Sequence, residues 1–240
     1  MTAPLRYKRV LLKVSGEVLL GDQAFGIDDR VTGRIADEVA AAVKLGVKVG
    51  LVIGGGNIFR GVTIAGAGGN RVAGDQMGML ATIMNAIAFQ QKLDERKVES
   101  RLFSAVVMPS ICETFSQRIA RSAYEAGQVL LFSGGIGHPF VTTDTGAALR
   151  AAEMGCDALF KGTQVDGVYS ADPKKDKAAK RYDRLSYDDV LRQGLAVMDL
   201  AAIALARDNR IPVIVFSIKQ PGAFVDILQG EGRATIVAEG

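Results

Sequence analysis

The chain has little of the side-chain chemistry by which many enzyme classes are recognised. It carries one histidine, His138, and two cysteines, Cys112 and Cys156, in 240 residues. Neither cysteine belongs to a C-x-x-C pair or has a histidine near it in sequence, which argues against a disulfide framework and against a zinc site. Both thiols are expected to be buried, in a reducing compartment. A lone histidine with no Cys-His or Ser-His pairing also leaves nucleophilic hydrolysis poorly supplied; as a loop residue, His138 is expected to face solvent. There is no long basic block, and a net charge of +3 gives a nucleic-acid partner little support. The most densely charged stretch, 172–184, mixes signs as a solvated loop does. No apolar run suits a membrane span or a signal peptide, so the expected location is the cytoplasm. Neither G-x-G-x-x-G nor G-x-x-x-x-G-K-[ST] occurs, so the two commonest phosphate-binding glycine loops are absent.

What is present is an ordinary globular composition, 48% apolar and 23% charged, in a strand-and-helix alternation. RVLLKV (9–14), VKVGLVI (47–53), LFSAVVM (102–108), QVLLF (128–132), DALF (157–160), PVIVFS (212–217) and ATIV (234–237) read as strands. Between them, 28–45 places Val31, Ile35, Val39 and Val43 on one helical face, with Gly46 to end it. Further helices are predicted over 72–97, 116–126, 145–154, 187–192, 199–208 and 221–228, and a hairpin or irregular loop over 165–173. No linker divides the chain, so a single domain over 1–240 is expected. The β-α-β order predicts a mostly parallel sheet with helices on both faces, whose ligands sit beyond the carboxyl ends of the strands.

Three glycine-containing turns, KVSGE (13–17), GGGN (54–57) and SGGIG (133–137), each follow a predicted strand and should meet at one sheet edge. Glycine permits close backbone approach, and exposed N–H groups at a helix start suit phosphate. Lys13 would add a point charge, or is a surface lysine before a turn. The glycine triplet is a phosphate cradle or a tight crossover that needs small residues; Arg60 in GGGNIFRG favours the cradle, because a phosphoryl group in transit needs a cation. Asp144 is a helix N-cap, or a carboxylate that organises cations or helps hold magnesium. The segment KGTQVDGVYSADP (161–173) supplies a lysine, hydroxyls, an aromatic ring and Asp172, an inventory for base and ribose that is also ordinary in loops.

Taken together, YKRVLLKVSGE, GVKVGLVIGGGNIFRG, NRVAGDQMGMLATIMN, HPFVTTDTGAALRAAE, KGTQVDGVYSADP, VMDLAAIALARDN and PVIVF resemble the bacterial uridylate (UMP) kinases of the amino-acid-kinase superfamily over nearly the whole chain. The resemblance implies an α/β fold, a three-layer αβα sandwich with a mostly parallel central sheet, in homohexamers. It implies Mg²⁺-dependent transfer of the γ-phosphoryl group of ATP to UMP. It assigns ATP to Lys13, Val14, Ser15, Gly16, Gly56, Arg60, Thr163, Gln164, Tyr169 and Asp172. UMP falls to Gly55, Asp75, Ile136, Gly137, His138, Pro139, Phe140, Val141, Thr142 and Thr143. Lys13, Arg60 and Asp144 would carry the chemistry, Asp144 by organising phosphate-binding lysines, and no metal ligand is assigned. UTP is implied as inhibitor and GTP as activator, with Arg101 in the GTP site. Three positions depart from the pattern. Gln164 stands where other members carry lysine or asparagine, His138 where asparagine is frequent, and Gln128 where some have an arginine that serves GTP control. Two rivals remain: a kinase of the same fold with a carboxylate or carbamate acceptor, against which Asp75 and HPFVTTD speak, and a nucleotide- or anion-binding protein without turnover.

Overall fold

The computed structural model describes residues 4–59, 70–173 and 175–240. Strands β1 (Arg9–Val14), β2 (Lys48–Ile53), β3 (Ser100–Ser104), β4 (Glu113–Thr114), β5 (Val129–Ser133), β6 (Ala158–Thr163), β9 (Arg184–Ser186), β10 (Val213–Ser217) and β11 (Thr235–Ala238) form one nine-stranded sheet. Its order is β4-β3-β5-β2-β1-β6-β10-β11-β9, with every neighbouring pair parallel except β10 and β11. A separate antiparallel ribbon joins β7 (Val168–Tyr169) to β8 (Arg181–Tyr182). This ribbon is the form that the turn-rich segment after Val165 takes.

Helices cover both faces. Helices α1 (Asp29–Lys44), α2 (Arg71–Glu95) and α7 (Ala223–Leu228) pack their apolar stripes on one side, in a core with Val10, Leu12, Val14 and Phe160. On the other side α3 (Gln117–Glu125), α4 (Thr143–Met154), α5 (Tyr187–Gln193) and α6 (Leu200–Asp208) share a core with Leu11, Leu159 and Val213. Asp28 caps α1 by accepting from Arg30 N and Val31 N, and Asn70 caps α2 by accepting from Val72 N. Alternation along the strands fixes which face each side chain meets. Leu11 and Leu159 face α4, so Lys13 and Lys161, two residues on in each strand, face it too.

Two strands differ from expectation. β3 begins earlier and stops at Ser104 rather than running over 102–108. Its neighbour β5 ends at Ser133, and Gly134 then turns away with φ +72°, so 105–108 have no parallel partner to pair with. Ser104 Oγ accepts from Val106 N at 3.0 Å and supports the bend. β6 in contrast runs beyond DALF to Thr163, because β1 and β10 flank it on both sides. β4, β8 and β9 are two or three residues long, too short for period-2 alternation to register.

At the amino end of the sheet, the fully buried Tyr124 stands with its hydroxyl 2.9 Å from both Val10 O and Lys48 O, joining α3 to β1 and β2. Tyr124→Phe leaves buried carbonyls short of a donor, which typically costs about 1–3 kcal/mol. The thermal midpoint should fall by roughly 2–4 °C per kcal/mol in a chain of this size. Scanning calorimetry measures that shift, and an unchanged midpoint would show that the hydroxyl contributes nothing. Because the contact lies at the strand starts, turnover should not change.

Candidate functional site

Neighbouring parallel strands β5, β2, β1 and β6 end on the same sheet edge, and the turns that follow them pack together there. Gly54 N donates to Val14 O at 2.9 Å, tying the glycine triplet to the end of β1. A Cβ on Gly16 would stand 2.4 Å from Gly54 O and 2.6 Å from Asn57 Oδ1, so the first turn can press against the second only because it carries glycine. Gly55 is held from the helix side, since a Cβ there would meet Gly78 O at 2.7 Å and Ala81 Cβ at 2.9 Å. Packing therefore explains part of the triplet. Gly56 is different, with only the Glu17 side chain near its would-be Cβ, at 3.6 Å. The third turn is tied to α2 by Gly134 N, which donates to Thr82 Oγ1 at 2.8 Å.

Behind these turns lies a buried charge group. Lys13 and Lys161 sit side by side in the β1–β6 register. Asp144 answers both, with Oδ1 2.6 Å from Lys13 Nζ and Oδ2 2.9 Å from Lys161 Nζ. Lys161 also donates to Val197 O. Burial pushes the Asp144 carboxyl up, but the charges of Lys13 and Lys161 outweigh it and hold the group below the usual carboxylate range. For Lys161, burial is the largest influence and pulls the ammonium down; Asp144 opposes it, and Lys13 adds to the lowering. Asp144 is not the N-cap of α4. Thr142 takes that role, accepting from Asp144 N at 3.1 Å and Thr145 N at 3.3 Å, and the Asp144 side chain is thereby left to the lysines.

Two spaces flank this group. One is lined by Gly55, Gly56, Asp75, His138, Val141 and Thr143 among others. Asp75, on α2, pairs with Arg71 at 2.8 Å and accepts from Phe140 N at 2.8 Å, so it holds the 136–142 loop against the helix. That loop needs unusual backbone: Gly137 has φ +81°, and the exposed Phe140 has φ +68°. His138 is exposed, as expected. Ile136 packs toward Gly146, while Pro139 is partly buried. The other space, a groove of about 450 Å³, is lined by Lys13, Ser15, Lys161, Thr163 and Gln164 among others, a size that suits a small-molecule ligand. Thr143 borders the first space and Lys13 the second, so the Lys13–Asp144 ion pair joins their walls.

Not every expected residue comes to these walls. The Val14 side chain is in the core, leaving only its backbone for a ligand. Gly56 lines the first space beside Gly55. Tyr169 lies on the ribbon, its hydroxyl donating to Asp166 Oδ1 at 2.6 Å, and Asp172 is exposed; neither lines the groove beside Thr163. Arg60 falls outside the described residues.

The sequence reading passed over several residues that the fold brings in. Local pattern assigns Lys161 to a loop with 162–173, although LFKGT repeats the pattern of LLKVSG, an apolar run, a lysine and then small residues. Asp199 caps α6 and accepts from Thr145 Oγ1 at 2.8 Å and from Thr142 Oγ1, joining the starts of α4 and α6. Asn57 and Asn85 are buried beneath the glycine triplet, and Asn85 shares the buried face of α2 with one other polar side chain, Thr82. Among the described residues, no group of three or more His, Cys, Asp or Glu is placed to hold a metal ion.

Comparison with known proteins agrees with this architecture. The model of the Amino acid kinase family matches residues 8–217. The chain is 59% identical over 239 residues to the uridylate kinase of Rhizobium meliloti, covering all of both chains, and 61% identical over 231 residues to that of Agrobacterium fabrum, covering 96% of each. Among solved structures, the UMP kinase of Bacillus anthracis superposes with a TM-score of 0.94 at 40% identity, over 97% of this chain and 96% of that one. The uridylate kinase of Archaeoglobus fulgidus is more distant, with a TM-score of 0.73 at 28% identity over 95% and 99% of the two chains. On these grounds the chain belongs to the amino acid kinase family, within its bacterial UMP kinases.

Proposed function

We propose that this kinase transfers the γ-phosphoryl group of ATP reversibly to UMP, giving ADP and UDP, and so feeds UTP and CTP synthesis. The observation that carries the reading is the buried Lys13–Asp144–Lys161 group beneath three converging turns, between a small space at Gly55 and Asp75 and a ligand-sized groove at Lys13. UMP would occupy the space lined by Gly55, Asp75, His138, Val141 and Thr143, with the rest of 136–143 beside it. ATP phosphates would lie over Lys13–Gly16 and Lys161, with base and ribose toward Thr163, Gln164, Tyr169 and Asp172. We assign Arg60 to the ATP side on sequence alone, and treat 1–240 as one domain because the sheet is continuous.

A UMP phosphate oxygen attacks the γ-phosphorus as the bond to the β-phosphate bridging oxygen breaks. The acceptor's second pKa is about 6, so it is already mostly ionised at neutral pH and needs no base. This accords with the single, exposed histidine. The barrier lies in bringing two anions together and in spreading charge over the transferring group, work suited to positioned cations. Lys13 and Lys161 supply them, and Asp144 holds both ammonium groups in place. Mg²⁺ is commonly held by one or two carboxylates together with substrate phosphates, but both oxygens of Asp144 already face ammonium groups, so Asp144 does not fit that donor set and no described carboxylate is assigned to the ion. When bound, the ion neutralises charge on the ATP phosphates.

A coupled assay with ATP, Mg²⁺ and UMP tests the reading. UMP should be used with a far higher kcat/KM than CMP or dUMP, because the wrong acceptor leaves buried polar groups unpaired. Equal specificity constants would refute the assignment. Added to the same assay at low UMP, millimolar UTP should inhibit through the shared uracil and ribose. GTP activation would require Arg101 to leave Glu113, to which its Nε donates at 2.7 Å.

Lys13→Ala and Lys161→Ala should each lower kcat by about 10²–10³ and raise KM much less, as expected when a donor to developing charge is lost. A wild-type kcat with only a raised ATP KM would make either lysine a ground-state binding residue. Asp144→Asn removes the charge that opposes the lowering of Lys161. The ammonium should then deprotonate at lower pH, moving the alkaline limb of the kcat–pH profile downward; an unmoved limb would sink the argument.

We further propose a cytoplasmic homohexamer. Met77, Leu80 and Met84 are spaced along α2 and exposed, while Ile83, Ala86 and Phe89 on its other side are buried. An exposed apolar stripe of that kind suits a subunit contact. No described helix is long and apolar enough to cross a membrane, and both free cysteines are buried. Light scattering at micromolar concentration should give six times the chain mass, whereas a monomer would remove the claim.

A further inference from the structure

The amides of Asn57 and Asn85 face each other in the interior, at 3% and 0% exposure. Asn85 Nδ2 donates to Asn57 Oδ1 at 2.7 Å, and Asn57 Nδ2 donates to Asn85 Oδ1 at 2.9 Å. Each nitrogen spends its second proton on a backbone carbonyl, Asn85 on Gly54 O at 2.7 Å and Asn57 on Gly26 O at 3.0 Å. All four N–H groups are therefore used, and neither amide can flip without setting its oxygen against a carbonyl oxygen. The pair also touches both phosphate-side turns. Gly54 O, held by Asn85, and Asn57 Oδ1 are the two atoms nearest a would-be Cβ on Gly16, at 2.4 and 2.6 Å. Together with the Gly54 N–Val14 O bond, two side chains anchored through Asn85 to α2 thus hold the turn after β2 against the turn after β1.

We propose that Asn57 and Asn85 are positioning residues for phosphoryl transfer, fixing the distance between the donor-side turn at Gly16 and the acceptor-side turn at Gly54–Asn57. The inference rests on the UMP kinase reading of the two spaces. The amides are buried beneath the turns and act on the reaction through the backbone that they hold. Transfer between two bound phosphates depends steeply on their spacing, and a misplacement of about 1 Å can cost on the order of 10²-fold in rate. Affinity for either nucleotide alone depends on one turn and is far less sensitive.

The test compares Asn85→Leu and Asn85→Asp with wild type and with Tyr124→Phe, a variant destabilised at the far end of the sheet. Asn85→Asp keeps the shape and loses both N–H donors. For each protein that is folded by circular dichroism, kcat is measured with ATP, Mg²⁺ and UMP. Calorimetry gives Kd for UMP and for a non-hydrolysable ATP analogue. In the Asn85 variants kcat should fall by about 10²-fold while both Kd values stay within about threefold, and Tyr124→Phe should keep its kcat. A folded Asn85 variant with kcat within threefold of wild type overturns the proposal. So does a loss of rate matched by an equal loss of affinity. If neither Asn85 variant folds, Asn57→Ser carries the same comparison, and a pair whose every substitution unfolds the chain is scaffold only. Wild-type protein inactive on UMP would instead defeat the underlying reading, a result distinct from normal wild-type turnover with unaffected variants.

Discussion

Two ammonium groups side by side in adjacent strands, largely shielded from water, repel each other and lose hydration, and a fold that keeps them must answer both charges. Asp144 does so with one oxygen for each lysine. Much of the site's construction follows from delivering that carboxylate. Helix α4 starts with its first turn over β1 and β6, Thr142 takes over the capping, and Asp199 fixes Thr142 and Thr145 in turn. Removing one partner from such a buried group is costly, typically about 3–5 kcal/mol, because the survivors are left uncompensated. The arrangement is costly for folding; under the proposed function it would hold the cations in place before a phosphate arrives and leave little reorganisation for the reaction itself.

Close packing of backbone supplies the second constraint. Gly16 and Gly55 leave no room for a Cβ, and this brings the strand-end turns within reach of one another and of α2. Helix α2 consequently serves several neighbours at once. Thr82 and Asn85 hold the second and third turns, Asp75 holds the 136–142 loop, Phe89 and Leu93 fill the core, and Met77, Leu80 and Met84 remain outside. A helix with this many obligations has a weak overall amphipathic pattern, which is why its role was hard to read from spacing alone.

Most of the fold was legible because local pattern and tertiary environment agree. Apolar runs became central strands buried on both faces, 3.6-residue periodicity became α1, and turn chemistry became the ribbon at Val168. Strand ends were less legible. The extents of β3 and β6 depend on whether a neighbouring strand is still present, as at Gly134, and no local signal reports that. Lys13 could be singled out because glycine follows it in a recognisable turn, whereas Lys161 looked like loop chemistry until β6 lengthened to include it.

The sequence by itself determined the order of elements, the placing of glycine turns at strand ends, the absence of a histidine base pair and the family to which the motifs belong. These are properties of local pattern and of residue inventory. Only the tertiary structure decided that Asp144 faces lysines instead of capping its helix, that Lys161 is the partner of Lys13, and that Asn57 and Asn85 lie beneath the glycine triplet. Each of these rests on contact between residues 17 to 148 positions apart, and such contacts exist only once strand order and register have brought distant segments together.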